Sequence, residues 1–156
     1  MDLGRQQDGI SGLEDHAGFW LRYVSNHVSQ AFARKLADSG VTVAEWVLLR
    51  EMFDASTIAP SVLAENTGLS RGAVSKLVDR LLHKNLLTRV ERDDDRRFQS
   101  IALTATGRKL VPTLAALADE NDAEFFSALG LQERQALIET LKKLVQANGL
   151  TKIPTE

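Results

Sequence analysis

The stretch PSVLAENTGLSRGAVSKLVDRL (Pro60–Leu81), followed four residues later by LLTRVERDDDRRFQSIALT (Leu86–Thr104), decides the fold. Ala64 precedes Gly68 by four residues, Val74 follows it by six, and Leu77 comes three later. Two short helices crossing at a tight turn need this spacing. The crossing takes a small residue, the left-handed turn a glycine, and the second helix two apolar anchors. The second stretch reads as strand, charged tip and strand, predicted at 87–91 and 98–103. A helix-turn-helix carrying such a hairpin is a winged helix, an architecture that reads DNA.

Outward from this segment the chain is helical. Apolar residues recur at three- and four-residue steps over 15–39, among them Phe19, Tyr23, Phe32 and Leu36, and predict a long amphipathic helix ended near Gly40. Thr42 and Glu45 form a T-x-x-E capping box for a second helix running to about Asp54. Ile58 suits a short strand, Pro60 the first turn of the third helix, Gly68 its cap, and Ser70 the cap of the fourth. Thr104 opens a fifth helix reaching about Ser127, with Pro112 placed to kink it. A sixth spans about 132–147, where Leu137, Leu141, Leu144 and Val145 make a narrow seam. The fold class is therefore mainly α (α+β): a winged helix-turn-helix with additional N- and C-terminal dimerisation helices. Residues 1–14 are expected to form a flexible N-terminus and 148–156 a C-terminal tail. The intervening single unit, 15–147, divides into a winged portion at about 42–104 and dimerisation helices at about 15–39 and 104–147. The outer helices are apolar on more faces than one short domain can cover, which points to a symmetric homodimer.

The 156-residue chain carries a net charge of −2, but the charge is segregated. Ser70–Lys109 holds ten Lys/Arg against five Asp/Glu, a balance of +5, while the remainder holds nine against sixteen, a balance of −7. One basic patch on an acidic body is the electrostatic footprint of a nucleic-acid binder. With no cysteine, disulfides, thiolate zinc sites and thiol-based oxidant sensing are excluded. No segment approaches the ~18 apolar residues of a membrane span, and no secretory signal is visible, so a cytoplasmic location is expected.

The motifs V-S-K-L-V-D-R-L (Val74–Leu81), D-D-D-R-R (Asp93–Arg97) and L-T-A-T-G (Leu103–Gly107), in this order and spacing, resemble those of the MarR (multiple antibiotic resistance regulator) family of bacterial transcription factors. The resemblance covers about Asp15 to Ala147. It implies an obligate dimer, a D-x-R wing tip formed by Asp95 and Arg97, and repression of nearby genes relieved by a small aromatic or anionic ligand. Asp93 and Asp94 depart from the proline or polar residues more usual there.

A recognition helix presents its N-terminal residues to base edges in the major groove. Here these are Ser70, Arg71, Gly72, Ser75 and Lys76, with Arg71 suited to a bidentate guanine contact and Arg80 to a phosphate or a carboxylate. Arg96 and Arg97 are the candidate wing contacts, held by Asp95 as an acceptor at the tip. The expected partner is double-stranded DNA bearing an inverted repeat of roughly 15–20 base pairs, two half-sites about one helical turn apart. For an effector, Trp20 and Tyr23 on the first helix and Trp46 and Arg50 on the second offer rings and a cation.

Other chemistries fit less well. Gly68–Gly72 matches G-x-S-x-G, but a nucleophile elbow requires a preceding strand and later Asp and His partners. His16 and His27 stand about 16 Å apart along one helix and cannot share a metal. No catalytic residue, metal or cofactor is expected. The alternative reading is a winged-helix protein-interaction module without DNA binding.

Overall fold

The computed structural model describes residues 9–91 and 99–153. A short 3-10 helix, Leu13–Asp15, leads into α1 (Ala17–Leu36), so the chain is already structured within the N-terminal stretch expected to be flexible to residue 14. A second 3-10 turn, Ala37–Ser39, ends at Gly40, which takes the left-handed conformation (φ +69°) that stops the helix where its sequence predicts. There follow α2 (Val43–Phe53), α3 (Pro60–Thr67), α4 (Arg71–His83), β1 (Leu87–Val90), β2 (Ser100–Leu103), α5 (Ala105–Phe125) and α6 (Leu131–Ala147). α5 runs on through Pro112.

The caps read from sequence do their work locally. Thr42 accepts from the Glu45 amide while the Glu45 carboxylate accepts from the Thr42 amide, satisfying two orphan donors of α2. Ser70 and Thr104 accept from the amides of Ala73 and Gly107 at the starts of α4 and α5. One cap escaped sequence analysis. α4 closes in a Schellman motif, Asn85 donating to Leu82 O and Leu86 to Leu81 O, with Asn85 itself left-handed (φ +58°). Asparagine tolerates that region because its short polar side chain adds little steric penalty.

β1 and β2 pair antiparallel with Leu87 opposite Leu103 and Val90 opposite Ser100. Ile58 adds the short third strand expected of it, exchanging backbone hydrogen bonds of 2.9 Å with Ile101. The strands are shorter than predicted; Phe98, together with the wing-tip residues Asp93, Asp94, Asp95, Arg96 and Arg97, lies outside the described residues.

A single core joins these elements. Leu36, Leu48, Leu63, Leu81, Ile101 and Leu114, each at most 2% exposed, bring one side chain from each of α1–α5 and β2 to its centre. Burying one such side chain contributes roughly 1.5–3 kcal/mol. α1 and α5 are further tied where Lys35 donates to Asn121 and pairs with Glu124 at 2.9 Å; its hydrogen bond and charge hold the Glu124 carboxyl below its ordinary pKa. α6 is different. None of its residues is buried, and Ile138, Leu141, Leu144 and Val145 remain between 39% and 51% exposed. Among the described residues, no helix is long and apolar enough to cross a membrane.

Candidate nucleic-acid interface

α4 presents two faces set by its sequence. Val74, Leu77, Val78 and Leu81 turn inward and are buried, while Ser70, Arg71, Gly72, Ser75, Lys76 and Arg80 are all exposed. The segregation follows from the helical period: with residues 74, 77, 78 and 81 anchored in the core, 72, 75, 76 and 80 must point away. All six candidate contacts on this helix therefore lie on one side of the molecule. Ser70 is a helix cap at the end of a helix-to-helix turn, not a serine on a strand-to-helix elbow.

Gly72 has a specific place in that surface. A Cβ built there meets nothing within 4 Å among the described residues, so no contact with them demands glycine. Glycine in a helix is less stable than alanine by about 1 kcal/mol, and here it leaves the backbone bare where an outside molecule would approach.

The face is not purely basic. Asp79 is exposed between Ser75 and Arg80, and Arg89 on β1 reaches it at 3.7 Å while donating to Gln99 at 2.7 Å. The pair neutralises a carboxylate on the exposed face of α4 and links α4 to β1. Its signal in the sequence was the D-R of the helix and the R of the strand, ten residues apart.

Two long-range anchors hold α4 and α5. Lys84, the C-cap of α4, donates 2.7 Å hydrogen bonds to Gly40 O and to the Glu45 carboxylate, which is 1% exposed. Arg108 on α5 donates to Phe53 O and Ala55 O, fixing the C-terminus of α2, and lies over the Phe53 ring at 5.3 Å. The L-T-x-x-G motif has a structural reason of its own. Leu86 O accepts from the Thr104 amide, and the Thr104 hydroxyl donates to Asn85 O, so α5 starts tightly against the end of the recognition helix. A Cβ at Gly107 would stand 2.2 Å from Leu86 O.

The four candidate effector residues are not brought together within one chain. Trp46 packs edge-on against Phe32 beside the core, and Arg50 pairs with Asp54 one turn along α2. Trp20 and Tyr23 lie nearer the other end of α1, about 18 and about 14 Å from Phe32 by helical rise. Trp20 Nε1 donates to Glu14 O, and Tyr23 stacks on His27. Trp20 instead lines an apolar hollow of about 300 Å³ with Leu21, Val24, Phe125, Phe126 and Leu137, between α1, the end of α5 and α6. His16 caps α1, its Nδ1 2.9 Å from Gly12 O. Among the described residues, no group of three or more His, Asp or Glu could hold a metal ion.

Comparison with known proteins gives this geometry its relatives. A family profile described as MarR family matches residues 39–97, the segment from the α1–α2 turn to Arg97. A putative transcriptional regulatory protein for the hcr operon of Thauera aromatica is 27% identical over 135 residues, 86% of this chain and 81% of that protein. Among solved structures, Bordetella bronchiseptica BpsR, whose DNA binding is regulated by 6-hydroxynicotinic acid, superposes with a TM-score of 0.80 at 26% identity, covering 87% of this chain and 98% of that one. Staphylococcus aureus MepR, solved with DNA, shares the fold (TM-score 0.78, 23% identity, 85% of this chain and 98% of that one). Over residues 39–97, which carry α2, α3, α4 and β1, the chain is thus similar to the MarR family of transcriptional regulators, and it shares its fold with these solved regulators.

Proposed function

We propose that the protein is a sequence-specific DNA-binding regulator, acting as a homodimeric repressor released by a small aromatic or anionic effector. The observation that carries the DNA reading is the exposed face of α4, where Arg71, Lys76 and Arg80 surround a glycine that no contact among the described residues requires. Arg71 at the helix start is the base reader, bidentate to guanine; Lys76 and Arg80 neutralise phosphates. The positive end of the helix dipole adds to their attraction for the DNA backbone.

Dimerisation is supported by α6. Its apolar seam and the hollow beside Trp20, which Leu137 of α6 helps to line, are uncovered apolar surfaces of the kind that a second copy would close. Sedimentation at micromolar concentration is expected to give twice the 17.2 kDa chain mass. A persistent 17.2 kDa species would remove the two-half-site reading. The effector proposal draws on BpsR and on the aromatic lining of that hollow, which suits a flat ring.

The test of DNA reading uses duplexes recovered by selection from a random pool. Arg71→Ala should weaken binding to the selected site by about 1–3 kcal/mol and relax preference at one base pair per half-site. Gly72→Ala should raise helix stability by up to about 1 kcal/mol yet weaken binding, because its methyl group projects into the DNA-facing side. Wild-type affinity should fall with salt at a log–log slope near about −7 if each protomer neutralises about four phosphates. An interaction module would show no salt-dependent binding, and Gly72→Ala would then be silent in every binding assay.

A further inference from the structure

The helix-turn-helix turn is crossed by a segment from the far end of the chain. After α6, the chain closes a Schellman turn at Gly149 (φ +58°), with Leu150 donating to Val145 O, and then runs to the turn between α3 and α4. There the Ile153 amide donates to Gly68 O at 2.8 Å, and Lys152 Nζ donates to Leu69 O at 3.4 Å. Gly68 ends α3 and Ser70 caps α4, so these two carbonyls lie between the helices, where no helical ladder partner serves them. The tail serves both. Ile153 also lies against Gly68 itself, its Cγ1 3.3 Å from where a Cβ would stand.

This contact sets an exposed ammonium one residue before the cap of the recognition helix and two before Arg71. An ammonium has three donors. Among the described residues, Leu69 O takes one of them, through a long and replaceable bond. From this placement we infer that Lys152 binds a DNA phosphate when α4 enters the major groove, making the C-terminal tail part of the DNA interface. The phosphate beside the helix N-terminus is then held by the helix dipole, by the first-turn side chains and by a residue from the opposite end of the chain. The inference rests on the DNA-binding function proposed above.

The experiment compares full-length wild type, Lys152→Ala and Lys152→Arg on a duplex recovered by selection and on a scrambled duplex, each across a salt series. Each phosphate neutralised contributes about 0.9 to the log–log salt slope, so Lys152→Ala should make the slope of a dimer shallower by about 2. The loss of affinity at low salt should be several-fold and equal on both duplexes, because a phosphate contact carries no sequence information. Lys152→Arg should keep the wild-type slope, and the melting temperatures of all three should agree, which separates a phosphate contact from a strut that merely holds the fold. An unchanged slope in Lys152→Ala, with wild type binding normally, overturns this inference alone. Tighter binding by Lys152→Ala overturns it too, since the tail would then be obstructing the turn. Failure of wild type to bind either duplex would overturn the DNA reading itself.

Discussion

Gly107→Ala is expected to lower stability by about 3 kcal/mol, the upper end of what a forced methyl group does in a packed site. The new Cβ would stand 2.2 Å from Leu86 O and 3.1 Å from its carbonyl carbon. A side chain could rotate out of the way, but a backbone carbonyl cannot. Leu86 O is moreover held by the Thr104 amide at 3.0 Å, and Thr104 by Asn85 O, so relief requires the start of α5 to lift off the end of α4. Alanine's better helix propensity returns at most about 1 kcal/mol and does not change the sign. At roughly 2–4 °C per kcal/mol for a domain of this size, the melting temperature should fall by about 10 °C. The wing root hangs from the same junction, so DNA affinity should fall as well. Unaltered melting in Gly107→Ala would show that the α4–α5 junction is looser than its geometry implies.

Removing the cation at Lys84 is the second large effect. The Glu45 carboxylate is 1% exposed and, among the described residues, keeps besides Lys84 only the Thr42 amide at 3.3 Å. Breaking a buried pair by deleting one partner typically costs about 3–5 kcal/mol, because the surviving charge has neither water nor counter-ion. The Lys84 side chain is 38% exposed, so water can enter where its ammonium was, and the expected loss for Lys84→Met is nearer 2–3 kcal/mol in urea unfolding. Adding Glu45→Gln to Lys84→Met should recover part of that loss by discharging the orphaned carboxylate. Strict additivity of the two single variants would show that they do not interact. The pair also couples function to fold, since it fixes the end of the recognition helix to the turn between α1 and α2.

These two sites differ in how visible they are in the sequence. Gly107 belongs to a motif, so its importance could be read, though the reason for it could not: Leu86 O reaches it only once the hairpin has brought 86 beside 107. Glu45 was legible as half of a capping box because that role spans three residues; its ion pair spans thirty-nine and left no local trace. The Arg50–Asp54 pair is a different case. An i, i+4 pair on a helix is a recognisable sequence signal, and it accounts for Arg50 without any effector. Trp20 and Trp46 are candidate effector contacts in the sequence for their rings alone, and a sequence does not say whether rings on two helices meet. Within one chain the two rings line different regions, Trp20 the hollow between α1, α5 and α6 and Trp46 the edge of the core beside Phe32.

By itself the amino-acid sequence determined the helices, most of their caps, the paired strands and the outward face of α4, because each depends on residues close together in the chain. Tertiary structure alone decided which charges meet and that Lys152 and Ile153 return to the turn at Gly68. Those outcomes depend on how separate elements pack against a shared core, and contacts between residues far apart in the chain impose no spacing that a single sequence can display.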